Sequence, residues 1–204
     1  MKKILVTYAT LSGTTVDVAK AVSEELAASG AKVDVLPIAS VKTLDGYDGV
    51  VVGGPMVAGW HRTALGFLRR NRKAWARIPL AVFVTAMSLT RSTMTSVEGV
   101  PLCIDDELPK TPARPDKLSF RERYSLVENY ARPILNAAGV AKPIGIAFLG
   151  GKLEYGRLPW WAVLFAMLIV QAPAGDKQNW PFIRSWAKGL PTAFEQARPA
   201  VERS

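Results

Sequence analysis

The chain has a single cysteine, Cys103, and a single histidine, His61, among its 204 residues. One of each excludes an intrachain disulfide and the four-ligand Cys/His zinc patterns. A lone thiol suits a reducing compartment, so a cytoplasmic location is expected. A signal-peptide core is not expected: Ile4 to Tyr8 gives only a five-residue, largely apolar stretch before Ala9-Thr10 and polar sequence, the pattern of a first strand. No low-complexity tract is present, and 49% hydrophobic with 21% charged residues is an ordinary globular composition. That length supports one sizeable core and is short for two, so residues 1–204 read as a single domain.

Acidic residues are absent between Asp48 and Glu98, and the net charge is +9 from 26 Lys+Arg against 17 Asp+Glu. One face is therefore expected to be strongly positive. Such a face could meet nucleic acid, anionic lipid headgroups or an acidic small molecule, or simply be solvated, and charge alone does not choose. No nucleic-acid recognition motif accompanies it, so a nucleic-acid partner is not expected.

Hydrophobic periodicity supplies the element order. Ile4 to Tyr8 reads as a buried strand and Val16 to Ser29 as an amphipathic helix stopping at Gly30. Lys32 to Leu36 alternates, and Gly49 to Gly53 is a continuous apolar run, as in strands covered on both faces. Arg62 to Arg77 suits a helix with Leu65, Leu68 and Trp75 inward, and Leu80 to Thr85 a strand. Residues 88–119, with Pro101, Pro109, Pro112 and Pro115, are too long and proline-rich for an ordinary connection and read as an excursion of lid type. Phe120 to Ala138 reads as a helix bent or broken near Pro133, Ile144 to Leu149 as a fifth strand, and Trp180 to Ala197 as a closing helix interrupted at Gly189-Leu190-Pro191. Five strands interleaved with helices predict a doubly wound α/β parallel sheet whose ligand sits at the carboxyl ends of the strands.

Between the first strand and first helix lie Thr10, Leu11, Ser12, Gly13, Thr14 and Thr15. Backbone N–H groups and hydroxyls converge there on the positive end of a helix, which suits a phosphate monoester. No lysine follows the glycine, as a nucleoside triphosphate loop requires, and the GxGxxG spacing of dinucleotide folds is absent. A hydroxyl-rich turn that merely caps the helix is the competing reading.

The loop resembles that of the flavodoxin family, T/S-x-T/S-G-x-T, through Thr10, Ser12, Gly13 and Thr15. The resemblance covers nearly the whole chain and implies a flavodoxin-like fold, strand order 2-1-3-4-5, with FMN as cofactor. It implies ring contacts from Pro55, Met56, Val57, Ala58, Gly59 and Trp60, and from Thr85, Ala86, Met87 and Ser88; this second loop lacks the aromatic residue that many flavodoxins stack there. Trp60 could cover the flavin or pack on the following helix. His61 could bond a flavin carbonyl, donate a proton, or be a solvated loop residue.

The chain departs from electron-shuttling flavodoxins, an acidic family, in two ways. It is basic, with Arg69, Arg70, Arg72, Lys73 and Arg77 on one expected helix, which reads as a solvated face or a docking face for anionic lipid. And Leu158 to Gly175 carries no charge, with eleven apolar residues from Trp160 to Val170. Eleven residues span roughly 17 Å as a helix against a hydrocarbon core of about 30 Å. An apolar helical insertion over 152–176, interfacial or re-entrant before the last helix, is expected, with Trp160, Trp161, Leu164, Phe165 and Leu168 as membrane or quinone contacts. A buried or dimer-interface helix is the alternative, which leaves a homo-oligomer open.

Gly53 to Leu65, and Gly150 to Arg157 with the aromatic pair and apolar run that follow, are similar to the menaquinone-dependent protoporphyrinogen oxidase group. That resemblance implies an FMN oxidoreductase of heme biosynthesis, peripheral on the cytoplasmic membrane face, passing electrons from a small reduced donor to a quinone. Acidic porphyrin propionates would then meet arginines such as Arg62 or Arg91. The excursion is longer than in that group, which leaves the substrate open, and no side chain is singled out as catalytic. A noncatalytic electron carrier docking on a membrane protein is the alternative.

Overall fold

A computed structural model describes residues 2–56, 59–91, 93–154, 156, 160, 163 and 175–197. Its main elements are β1 (Lys3–Tyr8), α1 (Thr14–Ala28), β2 (Lys32–Pro37), β3 (Gly49–Pro55), α2 (Arg62–Arg70) and β4 (Leu80–Ala86). The excursion holds β5 (Leu89–Thr90), β6 (Ser96–Val97), β7 (Val100–Ile104) and β8 (Pro109–Lys110). There follow α3 (Phe120–Tyr124), α4 (Glu128–Ala138), β9 (Gly145–Gly150), β10 (Lys152–Leu153), β11 (Gly175–Asp176) and α5 (Trp180–Ala197).

The central sheet has the order β2-β1-β3-β4-β9-β7-β6, parallel throughout except for β6 against β7. Its first five strands take the expected 2-1-3-4-5 arrangement, with β9 as the fifth. Successive strand residues face opposite sides, so each apolar run feeds two cores. Val50, Val52, Val82, Val84 and Phe148 pack on Phe67 and Leu68 of α2 and Ile134 and Leu135 of α4. Val51, Ala81, Phe83 and Leu149 pack on Val18 and Val22 of α1 and Ile183 and Phe194 of α5.

The structure corrects four expectations. The excursion is structured: β7 extends the parallel sheet beside β9, and a two-residue turn at Glu98-Gly99 returns the chain to it from β6. The helix expected over 62–77 stops at Arg70, because the Asn71 side chain donates to the Phe67 carbonyl. A separate 3-10 turn, Ala74–Ala76, buries Trp75, whose indole N–H donates to Leu68. The break in the helix after Phe120 falls at Ser125, not Pro133: the Ser125 carbonyl accepts the Thr90 amide and Asn129 donates to the Arg123 carbonyl, so both groups bond outside a helical ladder. And α5 runs unbroken through Gly189-Leu190-Pro191, because burying Ile183, Ala187, Leu190 and Phe194 outweighs the one missing amide.

Lys152 pairs with Asp176 and Leu153 with Gly175 in an antiparallel ladder, and most of the insertion expected over 152–176 lies outside the described residues. Among the described residues no helix is long and apolar enough to cross a membrane.

Candidate functional site

The carboxyl ends of four parallel strands are fastened side by side by backbone hydrogen bonds. Ala9 N–H donates to Gly53, Met56 N–H to Thr85, and Gly151 N–H to Ala86, at 2.9, 2.9 and 2.8 Å. These bonds bring together the loops after β1, β3, β4 and β9. Three are the segments expected to contact FMN; the fourth, around Lys152, falls in the stretch Gly150 to Arg157 singled out for the second resemblance.

In the first loop, Thr10 Oγ1 accepts the Gly13 amide at 2.8 Å, making a tight turn in which Gly13 takes φ +88°. This left-handed conformation is strained for any residue with a Cβ. Thr14 Oγ1 lies 3.2 Å from Ser12 Oγ and donates to the Lys152 carbonyl at 3.2 Å. Among the described residues no side chain caps α1, and the first turn directs positive partial charge toward the loop. Thr15 Oγ1 is fully buried and has no hydrogen-bond partner among the described residues. A buried, unpaired hydroxyl costs free energy unless an acceptor arrives, so the loop fits an oxygen-rich anion such as a phosphate monoester. Lys152 supplies no free charge, since its ammonium pairs with Glu154. Dipoles and hydroxyls therefore dominate the site.

On the ring side, Met56 and Trp60 form an isolated bridge, and the indole of Trp60 turns inward: it is 3% exposed, its N–H donates to Gly54, and it belongs to the core beside α2. Trp60 thus packs into the core beside α2. Gly59, at φ +96°, donates its amide to the Tyr124 hydroxyl at 2.6 Å. His61 Nδ1 accepts the Thr63 amide as the N-cap of α2, and burial holds its pKa below the usual value, so it is a neutral cap at physiological pH. Thr85 and Ala86 are buried, while Met87 and Ser88 are half-buried at the loop surface. Val57, Ala58, Trp161, Leu164, Phe165 and Leu168 lie outside the described residues. Trp160 is 75% exposed.

A cleft of roughly 650 Å³ opens beside Ser88, with Thr90, Lys110, Phe120 and Arg121 on its walls. Lys110 and Arg121 form no ion pair among the described residues, and Phe120 is 64% exposed. Arg91 lines a different cavity of roughly 450 Å³, with Met94, Ile104 and Val127, and Arg62 is exposed at the start of α2. Neither lines the Ser88 cleft. Of the basic stretch, Arg72 is spent on the fold, donating to the Asn136 and Ala137 carbonyls at the end of α4. Arg69, Arg70, Lys73 and Arg77 are exposed.

Sequence reasoning missed Tyr124, and also Asp105, a fully buried carboxylate that accepts from Gly150 N, Glu107 N and Asn179 Nδ2. Asp105 ties the ends of β7 and β9 to the start of α5. In sequence it sits in Asp105-Asp106-Glu107, which looks like a solvated turn. The thiol of Cys103 is kept protonated by burial, then by Asp105 and Asp106.

Residues 5–179 match the family model described as a flavodoxin domain. A solved short-chain flavodoxin, associated with a non-canonical PDU bacterial microcompartment, is 14% identical, with TM-score 0.53 over 95% of this chain and 99% of its own. An oxidoreductase from Corynebacterium diphtheriae is 18% identical, with TM-score 0.50 over 96% and 98%. At such identities the likeness is one of fold. No curated protein matches the chain in sequence.

Proposed function

The chain belongs to the flavodoxin-domain family, with FMN as its cofactor, and on that premise we propose that it is an FMN oxidoreductase of a membrane surface, passing electrons from a reduced organic donor to a quinone. Bound FMN supplies the redox chemistry, accepting electrons from one molecule and giving them to another. Phosphate would be held by the hydroxyls of Thr10, Ser12, Thr14 and Thr15 and by the uncapped first turn of α1. The ring would be bordered by Pro55 to Gly59 and Thr85 to Ser88, where the chain supplies backbone groups and no nucleophile. Ser88 stands at the mouth of the Lys110 and Arg121 cleft, which gives a donor an approach to that edge.

The membrane half of the reading is carried by the base of the insertion. The β10 and β11 ladder closes residues 154–174 directly beside the loop that would hold phosphate, since Thr14 bonds Lys152. Within the insertion the uncharged stretch from Leu158 to Gly175, with Trp160 exposed, would lie in the headgroup region and bring the flavin within reach of a quinone. The surplus of basic residues supports attachment to the anionic cytoplasmic leaflet.

For the donor, the similarity at Gly150 to Arg157 supports a protoporphyrinogen-type tetrapyrrole. Its propionates would meet Lys110 and Arg121 in place of Arg62 and Arg91. The test is turnover by the FMN-loaded protein alone, in vesicles containing a menaquinone analogue, with protoporphyrinogen IX as donor. Quinone reduction supports the reading. Flavin that turns over only when a reductase and an acceptor protein are added overturns it in favour of a carrier.

A further inference from the structure

α3 is short, yet it bridges the two loops assigned to the flavin ring. On one side Thr90, two positions beyond Ser88, donates from its hydroxyl to the Glu122 carbonyl at 2.6 Å and from its amide to the Ser125 carbonyl at 2.9 Å. On the other side the Tyr124 hydroxyl accepts the Gly59 amide at 2.6 Å. Tyr124 is itself held from the core side, while the ring on its other side is exposed. Its ring meets the fully buried Tyr130 edge-on, with centroids 6.0 Å apart and planes at 87°, and lies nearly parallel to Phe120 at 6.5 Å and 23°. Ser119 and Glu122 close a capping box at the start of α3, and Glu122 also accepts the Ala113 amide, which anchors the preceding segment.

Gly59 is held in a left-handed conformation with its N–H committed to a side chain that comes from 65 positions away. An amide engaged in this way is withheld from any other acceptor. If released, it becomes a free donor on the loop that would border the flavin, and donors aimed at developing charge stabilise it.

We propose that Tyr124 is a positioning residue: by accepting the Gly59 amide it fixes the loop beside the flavin and sets the relative affinity of the site for oxidised and reduced FMN. This rests on the FMN reading given above. The excursion is then part of the redox site, because the residue that sets the loop belongs to the helix at its end. Burial raises the phenol pKa, so the hydroxyl stays neutral across the physiological range and the clamp is not a pH switch.

The test compares the wild-type chain with Tyr124→Phe and with Phe120→Leu, which removes the stacked ring and keeps the hydroxyl. In the FMN-free proteins, amide hydrogen exchange at Gly59 is expected to be slow in the wild type and in Phe120→Leu and at least about tenfold faster in Tyr124→Phe. With FMN bound, Tyr124→Phe is expected to favour reduced over oxidised flavin by about tenfold, which for a two-electron couple raises the midpoint potential by about 30 mV. Phe120→Leu should leave the potential unchanged. Fast Gly59 exchange in the wild type would overturn the inference without any variant. So would faster exchange in Tyr124→Phe with an unchanged potential and visible spectrum, which would leave the FMN reading intact. Failure of the wild type to retain FMN would overturn both.

Discussion

Thr14 Oγ1 donates to the Lys152 carbonyl at 3.2 Å, fastening the loop after the first strand to the segment that follows the fifth. The neighbouring Thr15 hydroxyl, buried and without a partner among the described residues, does nothing comparable for the fold. Two adjacent threonines at the head of one helix therefore differ in what they do for the fold, one hydroxyl being bonded and the other unpaired.

Their substitution separates the roles. Thr15→Val, nearly isosteric, removes an unpaired buried hydroxyl and is expected to raise the stability of the FMN-free protein by about 1 kcal/mol while weakening FMN binding by about tenfold. Thr14→Val removes a bond the fold uses and is expected to lower stability by about 1 kcal/mol. Urea unfolding of the FMN-free proteins and quenching of FMN fluorescence measure the two effects. A stability loss in Thr15→Val with unchanged FMN affinity would contradict the assignment.

Trp60 is expected to behave as core. Trp60→Ala leaves a cavity beside α2 and should cost about 3–5 kcal/mol in denaturant unfolding. Trp60→Phe should fold and bind FMN with the wild-type visible spectrum. A changed flavin spectrum in Trp60→Phe would mean the indole reaches the ring after all.

At the opposite end of the sheet, Tyr47 donates to Asp34 at 2.7 Å, and Lys3 pairs with the same carboxylate at 3.0 Å. Burial first, and then the carboxylate, push the Tyr47 phenol up to about 12 from 10.0. Because the folded value is raised, this stabilisation is fully present below about pH 10 and lost as pH rises through about 12. The hydrogen bond from Tyr47, then that from Lys3, hold Asp34 below its ordinary 3.8, so its contribution is present above that value and lost as pH falls through the lower folded one. Burial also raises Tyr124 and Tyr130, so ultraviolet titration of phenolate should show several late-ionising tyrosines, one of which moves earlier in Asp34→Asn; an unmoved titration would contradict the pairing.

Replacing Trp160, Phe165 and Leu168 together by Ser is expected to abolish sedimentation with vesicles of mixed neutral and anionic lipid while sparing FMN binding. Retained sedimentation would place the membrane contact elsewhere, with the exposed Arg69, Arg70, Lys73 and Arg77 as the next residues to change.

How far the chain could be read follows from the range of the interactions involved. β3 and β4 were legible because a strand buried on both faces must be apolar throughout, and α1 because its apolar face repeats locally. The hydroxyl loop was legible because its turn closes within six residues, from Thr10 to Thr15. β7 was not: it begins beside Pro101, and its partner β9 lies some forty residues later, so nothing nearby announces the pairing. The break at Ser125 was hidden for the same reason, since the Thr90 amide that takes its carbonyl is distant in sequence, whereas Pro133 was conspicuous and harmless inside α4. Tyr124 looked like one aromatic among several in a helix, and only the fold brings its hydroxyl to Gly59.

The central claim is that the loop from Thr10 to Thr15 and the neighbouring strand ends hold FMN. The most direct measurement is the visible absorption spectrum of the purified chain after incubation with FMN and removal of the excess by gel filtration. The account expects a flavin band that travels with the protein in stoichiometric amount and falls away in Thr15→Val. A folded but colourless protein that retains no FMN would contradict it.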